Sequence, residues 1–280
     1  MRHAIIMTVY KDISLINMII QYMPNDWDVY VHIDSKSQIN VSEINQRVYV
    51  IKKYAIKWGS INHLYAILDL LSMAMSKSYK DTYFHIITGQ DFFVTPPGKF
   101  NEKLVDGKIY LDIKQSAKWY DGGKDIWRYR TLAPYIDLRK VFNRKFNRLY
   151  MIVQRLFNLC KRLPNYPIYG GLVYCSLPYY AVEYVLNSEI AKDMLRELKY
   201  SAVGEEIFFQ TVLMNSPYRE NIIFNNLRYS DWSVKNSPKL LTEEDFDKII
   251  ESGDLFCRKV GRKESSQLIN LLCVHMSNIE

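Results

Sequence analysis

A chain of 280 residues can bury a substantial core, and its 48% apolar share excludes a disordered or fibrous chain. No run of about eighteen apolar residues occurs, and the short N-terminal apolar run lacks a signal-peptide cleavage site, so we expect neither a bilayer span nor a leader. The formal charge of +7 favours anionic partners, and the basic residues are concentrated in residues 128–162.

The four cysteines are widely spaced, at Cys160, Cys175, Cys257 and Cys273. They form no C-x-x-C pair and have no histidine at ligand spacing, so we expect reduced thiols and no structural zinc. These features predict a cytoplasmic protein. A peripheral contact with the inner face of a membrane is expected if the basic stretch binds anionic lipid.

The first third of the chain alternates β-rich runs with helical patterns. Helices are predicted over residues 12–22 and from Ser60, with Ser60 as the N-cap of the second. The runs that predict strands are "HAIIMTVY", "WDVYVHID", "RVYVIKKY", "TYFHIITG" and "KIYLDIK". Strands interleaved with helices predict an α/β fold whose mostly parallel central sheet is flanked by helices.

Residues 114–161 are rich in Tyr and Arg and are predicted to be largely helical from Leu138. The Arg and Lys residues lie mostly off the apolar stripe, which predicts an amphipathic helix with a solvated basic face. The stripe comprises Val141, Phe142, Phe146, Leu149, Tyr150, Val153 and Leu156.

The rest of the chain is predicted to contain an extended segment, "YPIYGGLVYCSLP", and helices over Tyr179–Asn187 and from about Gly204. No repeat or low-complexity linker interrupts the pattern. We therefore predict a single domain over residues 1–280.

Polar side chains follow two of the predicted strands. Asp34 comes directly after a buried strand in "VYVHIDSKS", and Gln90 and Asp91 follow another in "TGQDFF". Ligands of open α/β sheets bind beyond the carboxyl ends of strands, where an Asp can accept a hydrogen bond from a ribose or a base. A turn-forming Asp-Ser pair is the alternative for Asp34.

No glycine-rich phosphate loop is present, which removes the main support for an ATPase or a dinucleotide enzyme. The two Asp-x-Asp pairs, in "NDWD" and "EDFD", do not follow a predicted strand, so neither can bridge a diphosphate through a metal. The candidate cations are Arg258 and Lys259 in "GDLFCRKV", because a guanidinium beside an ammonium can hold a diphosphate. An exposed surface doublet is the alternative.

Two acids head an otherwise apolar segment, "SAVGEEIFFQTVL". As a helix from about Gly204 it is apolar nearly all round and therefore buried, with Glu205 and Glu206 in its first turn. The acids either stabilise the helix end or supply a general base. Burial raises the pKa of such a carboxyl and the helix end lowers it, so the sequence leaves the direction open.

In their order and spacing these segments resemble the core-2/I-branching β-1,6-N-acetylglucosaminyltransferase family, which also includes peptide-O-xylosyltransferases. The resemblance covers most of the chain. It is carried by "HIDSKS", "KWGSINHLYAILDLL", "YFHIITGQDFFV", "YGGLVYCSLPYYAVEYVLNS", "GEEIFFQTVLMNSP", "LRYSDWS" and "SPKLLTEEDFDKIIESGDLFCRKV".

The resemblance implies a GT-A-like glycosyltransferase that moves a sugar, N-acetylglucosamine foremost, from a UDP-sugar to a hydroxyl of an acceptor glycan. Transfer would invert the anomeric centre and need no metal or other cofactor. Residues 1–115 would form the nucleotide-sugar half, and residues 116–280 the acceptor and catalytic half with the diphosphate-binding segment.

Family motifs also imply roles for individual residues. Glu206 matches the catalytic base, Arg258 and Lys259 match the diphosphate-binding motif, Asp34 matches the nucleoside-binding Asp, and Trp58 lies near it. The remaining candidates for donor or acceptor contacts are Gln90, Asp91, Tyr174, Glu205, Tyr229, Asp231 and Trp232.

The chain departs from the family in several places. The xylosyltransferase branch carries an acid where this chain has Val173, which favours Glu206 as the base, and "KWYDGGKDIWRYRTL" does not clearly match the branching enzymes' acceptor segment. With neither an anchor nor disulfides expected, the chain resembles a bacterial relative.

The expected partners are a UDP-sugar and a glycan or lipid-linked glycan of surface polysaccharide or glycoconjugate synthesis. The rival function is a non-catalytic carbohydrate- or nucleic-acid-binding module, suggested by the positive charge and abundant Tyr. Nucleic acid is not an expected partner, because no helix carries a recognition pattern.

Overall fold

The computed structural model describes residues 1–114, 126–133, 135–234 and 237–279. Its strands form two sheets. The strands are Arg2–Val9 (β1), Asp28–Ile33 (β2), Tyr49–Ile51 (β3), Thr82–Thr88 (β4), Asp91–Phe93 (β5), Ile109–Leu111 (β6), Cys175–Pro178 (β7), Ile222–Ile223 (β8), Arg228–Ser230 (β9) and Phe256–Arg258 (β10).

The larger sheet has seven strands in the order β3-β2-β1-β4-β7-β6-β8. Four of its six strand pairs are parallel, and both antiparallel pairs involve β7. β1, β2 and β4 are almost entirely buried, as expected for apolar strands with helices on both faces. The predicted α/β fold with a mostly parallel sheet is confirmed.

The smaller sheet has the order β5-β10-β9, with β10 antiparallel to β5 and parallel to β9.

Helices cover both faces of the larger sheet. The helices of the described residues are Ile13–Gln21 (α1), Asn62–Met75 (α2), Phe100–Lys103 (α3), Ile126–Arg130 (α4), Val141–Leu156 (α5), Tyr179–Asn187 (α6), Glu189–Leu198 (α7), Glu205–Met214 (α8), Phe246–Ser252 (α9) and Ser266–Ser277 (α10).

Alternate residues of β1 point into two different cores. Ala4 and Ile6 pack with α2, α6, α7 and α8 on one face of the sheet. Ile5 and Met7 pack with α1, α9 and α10 on the other, together with the apolar residues of the smaller sheet. The larger sheet therefore separates two apolar cores.

The prediction that Ser60 caps α2 is wrong. The helix begins at Asn62 with Ile61 at the N-cap position and no side-chain cap, and the Ser60 hydroxyl has no hydrogen-bond partner among the described residues. The reason is a tight turn at Gly59, whose φ of 84° makes the Ser60 amide donate to the carbonyl oxygen of Lys57. Ser60 is therefore part of the turn.

The amphipathic helix predicted from Leu138 begins at Val141, and it packs through an unexpected face. Its buried residues are Asn147 and Gln154, whereas the predicted apolar stripe is exposed along its whole length. The Gln154 side chain accepts a hydrogen bond from the Leu132 amide and donates one to the Leu132 carbonyl. These two hydrogen bonds hold the polar face of α5 against the backbone of Leu132.

Two sequence-based expectations fall outside the described residues. The predicted division of the chain near residue 115 lies at residues 115–125, which are not among the described residues, and most of "KWYDGGKDIWRYRTL" lies in the same range.

Among the helices that the structure describes, none is long and apolar enough to cross a bilayer.

Candidate active site

The carboxyl ends of β1, β2 and β4 meet at one edge of the larger sheet. The Asp34 amide after β2 donates to the Val9 carbonyl at 2.8 Å, and the Gly89 amide after β4 donates to the Thr8 carbonyl at 3.2 Å. Across this edge the Tyr10 hydroxyl donates to Gln90 Oε1 at 3.3 Å. Two predicted site residues, Asp34 and Gln90, are thus brought together.

Asp34 is buried and held by the loop that carries Trp58. Its Oδ1 accepts hydrogen bonds from the amides of Lys36 at 3.0 Å and Ile56 at 3.2 Å, and Lys36 Nζ lies 3.6 Å from Oδ2. Asp34 therefore forms a turn, as the alternative predicted, and it also lies at the end of a strand. Trp58 follows Ile56 by two residues, and its ring is half exposed.

Arg258 lies inside the protein, so the alternative of an exposed doublet is wrong for it. It is 4% exposed, its Nη1 donates to Asp91 Oδ1 at 3.2 Å, and its Cζ lies 3.6 Å from the centre of the Tyr174 ring. Burial lowers the pKa of Arg258, but Asp91 and Tyr174 outweigh it and the net pKa is raised. The guanidinium is therefore a fixed positive charge.

Lys259 is half-buried beside Arg258. The next amide, of Val260, donates to the Gln90 carbonyl at 2.9 Å, which places Lys259 near the end of β4. Burial lowers the pKa of Lys259, and the charges of Arg258 and Lys11 lower it further. An anion bound here would relieve this repulsion, so the cluster suits a diphosphate.

Glu205 is buried at the start of α8 and connected to β1 through a histidine. Its Oε1 lies 3.3 Å from Nδ1 of His63, and His63 Nε2 lies 3.2 Å from the Thr8 hydroxyl oxygen. If Nδ1 carries the proton toward the carboxylate, Nε2 accepts from the hydroxyl. This chain of contacts joins Glu205 to the sheet edge where Asp34 and Gln90 lie.

Glu206 keeps access to solvent, with 24% of its side chain exposed, and its Oε2 accepts a hydrogen bond from Arg128 Nη1 at 3.1 Å. Burial raises the pKa of Glu206 and Glu205 raises it further, against Arg128 and Lys114, which lower it. The direction that the sequence left open is therefore upward. A reachable carboxylate with a raised pKa is suited to accept a proton.

Tyr174 lies against Arg258, in a segment that also contacts the start of α8. Its ring stacks on Arg258, and the Gly171 amide of the same segment donates to the Glu206 carbonyl at 2.9 Å. Burial raises the pKa of Tyr174 to about 12. The two groups that the sequence analysis proposed for opposite sides of one reaction are thus connected through residues 171–174.

Tyr229, Asp231 and Trp232 lie at the smaller sheet. In the parallel β9–β10 pair, Tyr229 is opposite Cys257. The Asp231 carbonyl accepts from the Lys239 amide, and the Lys239 carbonyl accepts from the Lys259 amide. Trp232 is half exposed. These residues therefore adjoin the cationic side of the site.

Sequence reasoning missed the partners of the two acids. His63 was quoted within "KWGSINHLYAILDLL" and Arg128 within the basic stretch, but neither was singled out. Their contacts span 142 and 78 residues of sequence, so no local pattern could reveal them. The one weak indication in the sequence was His63 itself, a polar residue in the first turn of the apolar helix α2.

A cavity of about 220 Å³ opens next to Trp58, with Tyr65, Tyr135 and Tyr200 in its wall. Its lining contains none of the predicted site residues. Among the described residues, no group of three His, Cys, Asp or Glu side chains is placed to hold a metal ion.

The α/β fold, with Asp34, Gln90 and Lys259 near the carboxyl edge of its mostly parallel sheet, is that of the GT-A-like glycosyltransferases. The model of the Core-2/I-Branching enzyme family matches residues 4–250. The chain belongs to this family, as its motifs predicted.

Curated relatives include three xylosyltransferases that are much longer than this chain. Xylosyltransferase sqv-6 of Caenorhabditis elegans is 24% identical over 227 residues, 76% of this chain and 26% of the relative. Rat xylosyltransferase 2 is 23% identical over 88% of this chain and 30% of its own length. Human xylosyltransferase 1 is 27% identical over 74% of this chain and 21% of its own length.

The solved structures that are similar to this chain include two glycosyltransferases. The bifunctional glycosyltransferase WbbM has a TM-score of 0.42 and 11% identity, over 91% of this chain and 45% of that chain. Mouse xyloside xylosyltransferase 1 has a TM-score of 0.36 and 11% identity, over 82% of this chain and 88% of that chain.

Proposed function

We propose that the protein is an inverting, metal-independent glycosyltransferase that moves a sugar from a UDP-sugar to a hydroxyl of an acceptor glycan. The observation that carries this proposal is that one short segment contacts both groups: the Gly171 amide donates to the Glu206 carbonyl at 2.9 Å, and Tyr174 stacks on Arg258. Membership of an enzyme family and this constellation favour catalysis over a non-catalytic binding module.

In the proposed reaction, Glu206 takes the proton of an acceptor hydroxyl, whose oxygen attacks the anomeric carbon of the donor. The bond from that carbon to the diphosphate oxygen breaks, and the electron pair leaves with UDP. Attack from the face opposite the leaving group inverts the anomeric centre. Lys259, fixed beside Arg258, stabilises the negative charge that develops on the diphosphate, which supplies the role that a metal has in other transferases.

Arg128 and Glu205 set the state of the base. Arg128 holds Glu206 through one carboxylate oxygen and favours its ionised form, while the buried Glu205 charge makes Glu206 a better proton acceptor. Asp34 and Trp58 are proposed to hold the nucleoside at the neighbouring strand end. Tyr229, Asp231 and Trp232 are proposed acceptor contacts.

The donor sugar is proposed to be N-acetylglucosamine, in line with the branching enzymes that the motifs resemble. Xylose is the competing donor sugar, since the curated relatives are named xylosyltransferases. Val173 is the residue that separates the two, because it stands where the xylosyltransferase branch carries an acid.

The acceptor is proposed to be a glycan or lipid-linked glycan in surface polysaccharide or glycoconjugate synthesis, used at the cytoplasmic face of a membrane. The reducing compartment agrees with the four free cysteines, of which Cys160 and Cys273 are partly exposed. The proposed contact with the membrane would be made by α5, which lies in the basic stretch of residues 128–162.

A donor panel in the presence of EDTA tests the proposed function. We expect UDP-N-acetylglucosamine to raise the melting temperature and to be hydrolysed slowly, with unchanged rates under chelation. A panel in which UDP-xylose alone stabilises the protein would reassign the donor. Hydrolysis that stops with EDTA and returns with a divalent ion would contradict the metal-independent mechanism.

The pH profile of kcat/KM is expected to show the titration of Glu206. The base must be ionised, so activity falls as pH drops through its raised pKa. Removing the neighbouring negative charge with Glu205→Gln lowers that pKa and moves the acidic limb to lower pH. Arg128→Ala removes a positive charge and moves the limb to higher pH.

The control for the pH profile is Glu183→Gln, an exposed acid on α6, which should leave the limb in place. An acidic limb that neither Glu205→Gln nor Arg128→Ala displaces would show that a group other than Glu206 titrates.

A further inference from the structure

The α5 helix exposes its apolar face. Phe142 is 78% and Leu156 76% exposed, and Phe157 and Leu159 continue the apolar surface beyond the helix. We define the α5 apolar face as Val141, Phe142, Phe146, Leu149, Tyr150, Ile152, Val153 and Leu156, all of them exposed. A continuous apolar face of this kind marks an interaction site.

The exposure results from how α5 is anchored. The helix packs through Asn147 and Gln154, and the Gln154 side chain makes paired hydrogen bonds with the backbone of Leu132. Turning the apolar face inward would break these hydrogen bonds. The orientation is therefore specified by the fold.

The charge around the α5 apolar face identifies its partner. Arg144, Lys145 and Arg148 are exposed on the same helix, and no Asp or Glu occurs between Asp137 and Glu183. An amphipathic helix with exposed apolar residues, basic neighbours and no acids complements an anionic lipid surface: the apolar side chains enter the headgroup boundary, and the cations contact lipid phosphates.

We propose that the α5 apolar face docks the protein on an anionic lipid bilayer. The inference extends the proposed function, because α5 is joined to the candidate active site. Arg155 of α5 lies over the ring of Trp127 on α4, with its Cζ 4.2 Å from the ring centre, and the next residue, Arg128, donates to Glu206. Docking through α5 would hold the base near an acceptor carried by a lipid.

The test is cosedimentation of the purified full chain with vesicles, without donor or acceptor. We expect binding to phosphatidylcholine vesicles that contain phosphatidylglycerol, weakened by high salt. Phe142→Ser with Leu149→Ser and Leu156→Ser should reduce this binding by at least about tenfold, because the buried apolar area is lost. These side chains are exposed, so the variant should fold.

A second variant separates charge from apolar contact. Arg144→Gln with Lys145→Gln and Arg148→Gln should bring binding to anionic vesicles down to the level on phosphatidylcholine alone. The matched control is Leu271→Ser with Val274→Ser, two exposed apolar residues of α10, which should bind like the wild type.

Three results would overturn the proposal: no binding to anionic vesicles, equal binding of wild type to both vesicle types, or binding that the α5 variants keep. Self-association of the wild type that disappears in the serine variant, without vesicle binding, would assign the face to a second copy of the chain. The vesicle assay needs no catalysis, so its failure and the failure of the proposed transfer reaction are distinguishable.

Discussion

The Glu206→Gln variant is expected to transfer sugar about 10²- to 10⁴-fold more slowly than the wild type, the range that a general base contributes. Gln has nearly the same shape but cannot take the acceptor proton. The Arg128 hydrogen bond to the side-chain oxygen can persist, so the local structure should survive. The measurement is kcat with a saturating donor, alongside the dissociation constant for UDP by calorimetry.

UDP affinity should change by no more than about twofold in Glu206→Gln, because the base acts on the acceptor. Glu205→Gln is the matched comparison, since it removes a carboxylate one residue away that is buried against His63. We expect it to retain far more activity than Glu206→Gln. Equal losses in both variants, or full activity of Glu206→Gln, would remove Glu206 from the role of base.

Asp91→Asn is expected to lower the free energy of unfolding by about 3–5 kcal/mol, the cost of leaving one member of a buried ion pair without its partner. Asp91 is fully buried and accepts hydrogen bonds from the Thr88 amide and hydroxyl as well as from Arg258. Asn carries no charge, so the buried guanidinium loses its counter-ion. Denaturant titration measures the loss.

The control for Asp91→Asn is Glu189→Gln, which removes an exposed ion pair with Lys192 and should leave the midpoint unchanged. A double variant, Asp91→Asn with Arg258→Met, should be less destabilised than the sum of the two single changes, because neither partner is left alone. Wild-type stability of Asp91→Asn would show that the pair does not hold the small sheet together.

The fold was predictable where local pattern decides structure. β1, β2 and β4 are apolar enough to be buried on both faces, and α8 begins at the residue where the acids follow Gly204. The three-residue strands of the smaller sheet carry too short a pattern for prediction. Their pairing depends on contacts such as Arg258 with Asp91, which are 167 residues apart.

The positions of some candidate site residues were predictable from strand ends, whereas their electrostatics were not. Asp34 and Gln90 could be placed together because parallel strands end at a common edge. The raised pKa of Glu206 could not be derived, because it depends on burial and on Arg128. The exposed face of α5 could not be derived either, since periodicity defines an apolar face without saying which face packs.

A crystal structure of the protein with UDP tests the central claim most directly. The account predicts a diphosphate oxygen about 3 Å from Lys259 Nζ, the uridine beside Asp34, and the Glu206 carboxylate facing the space beyond the outer phosphate. UDP bound in the cavity lined by Tyr65, Tyr135 and Tyr200, with Lys259 and Glu206 both away from it, would contradict the account.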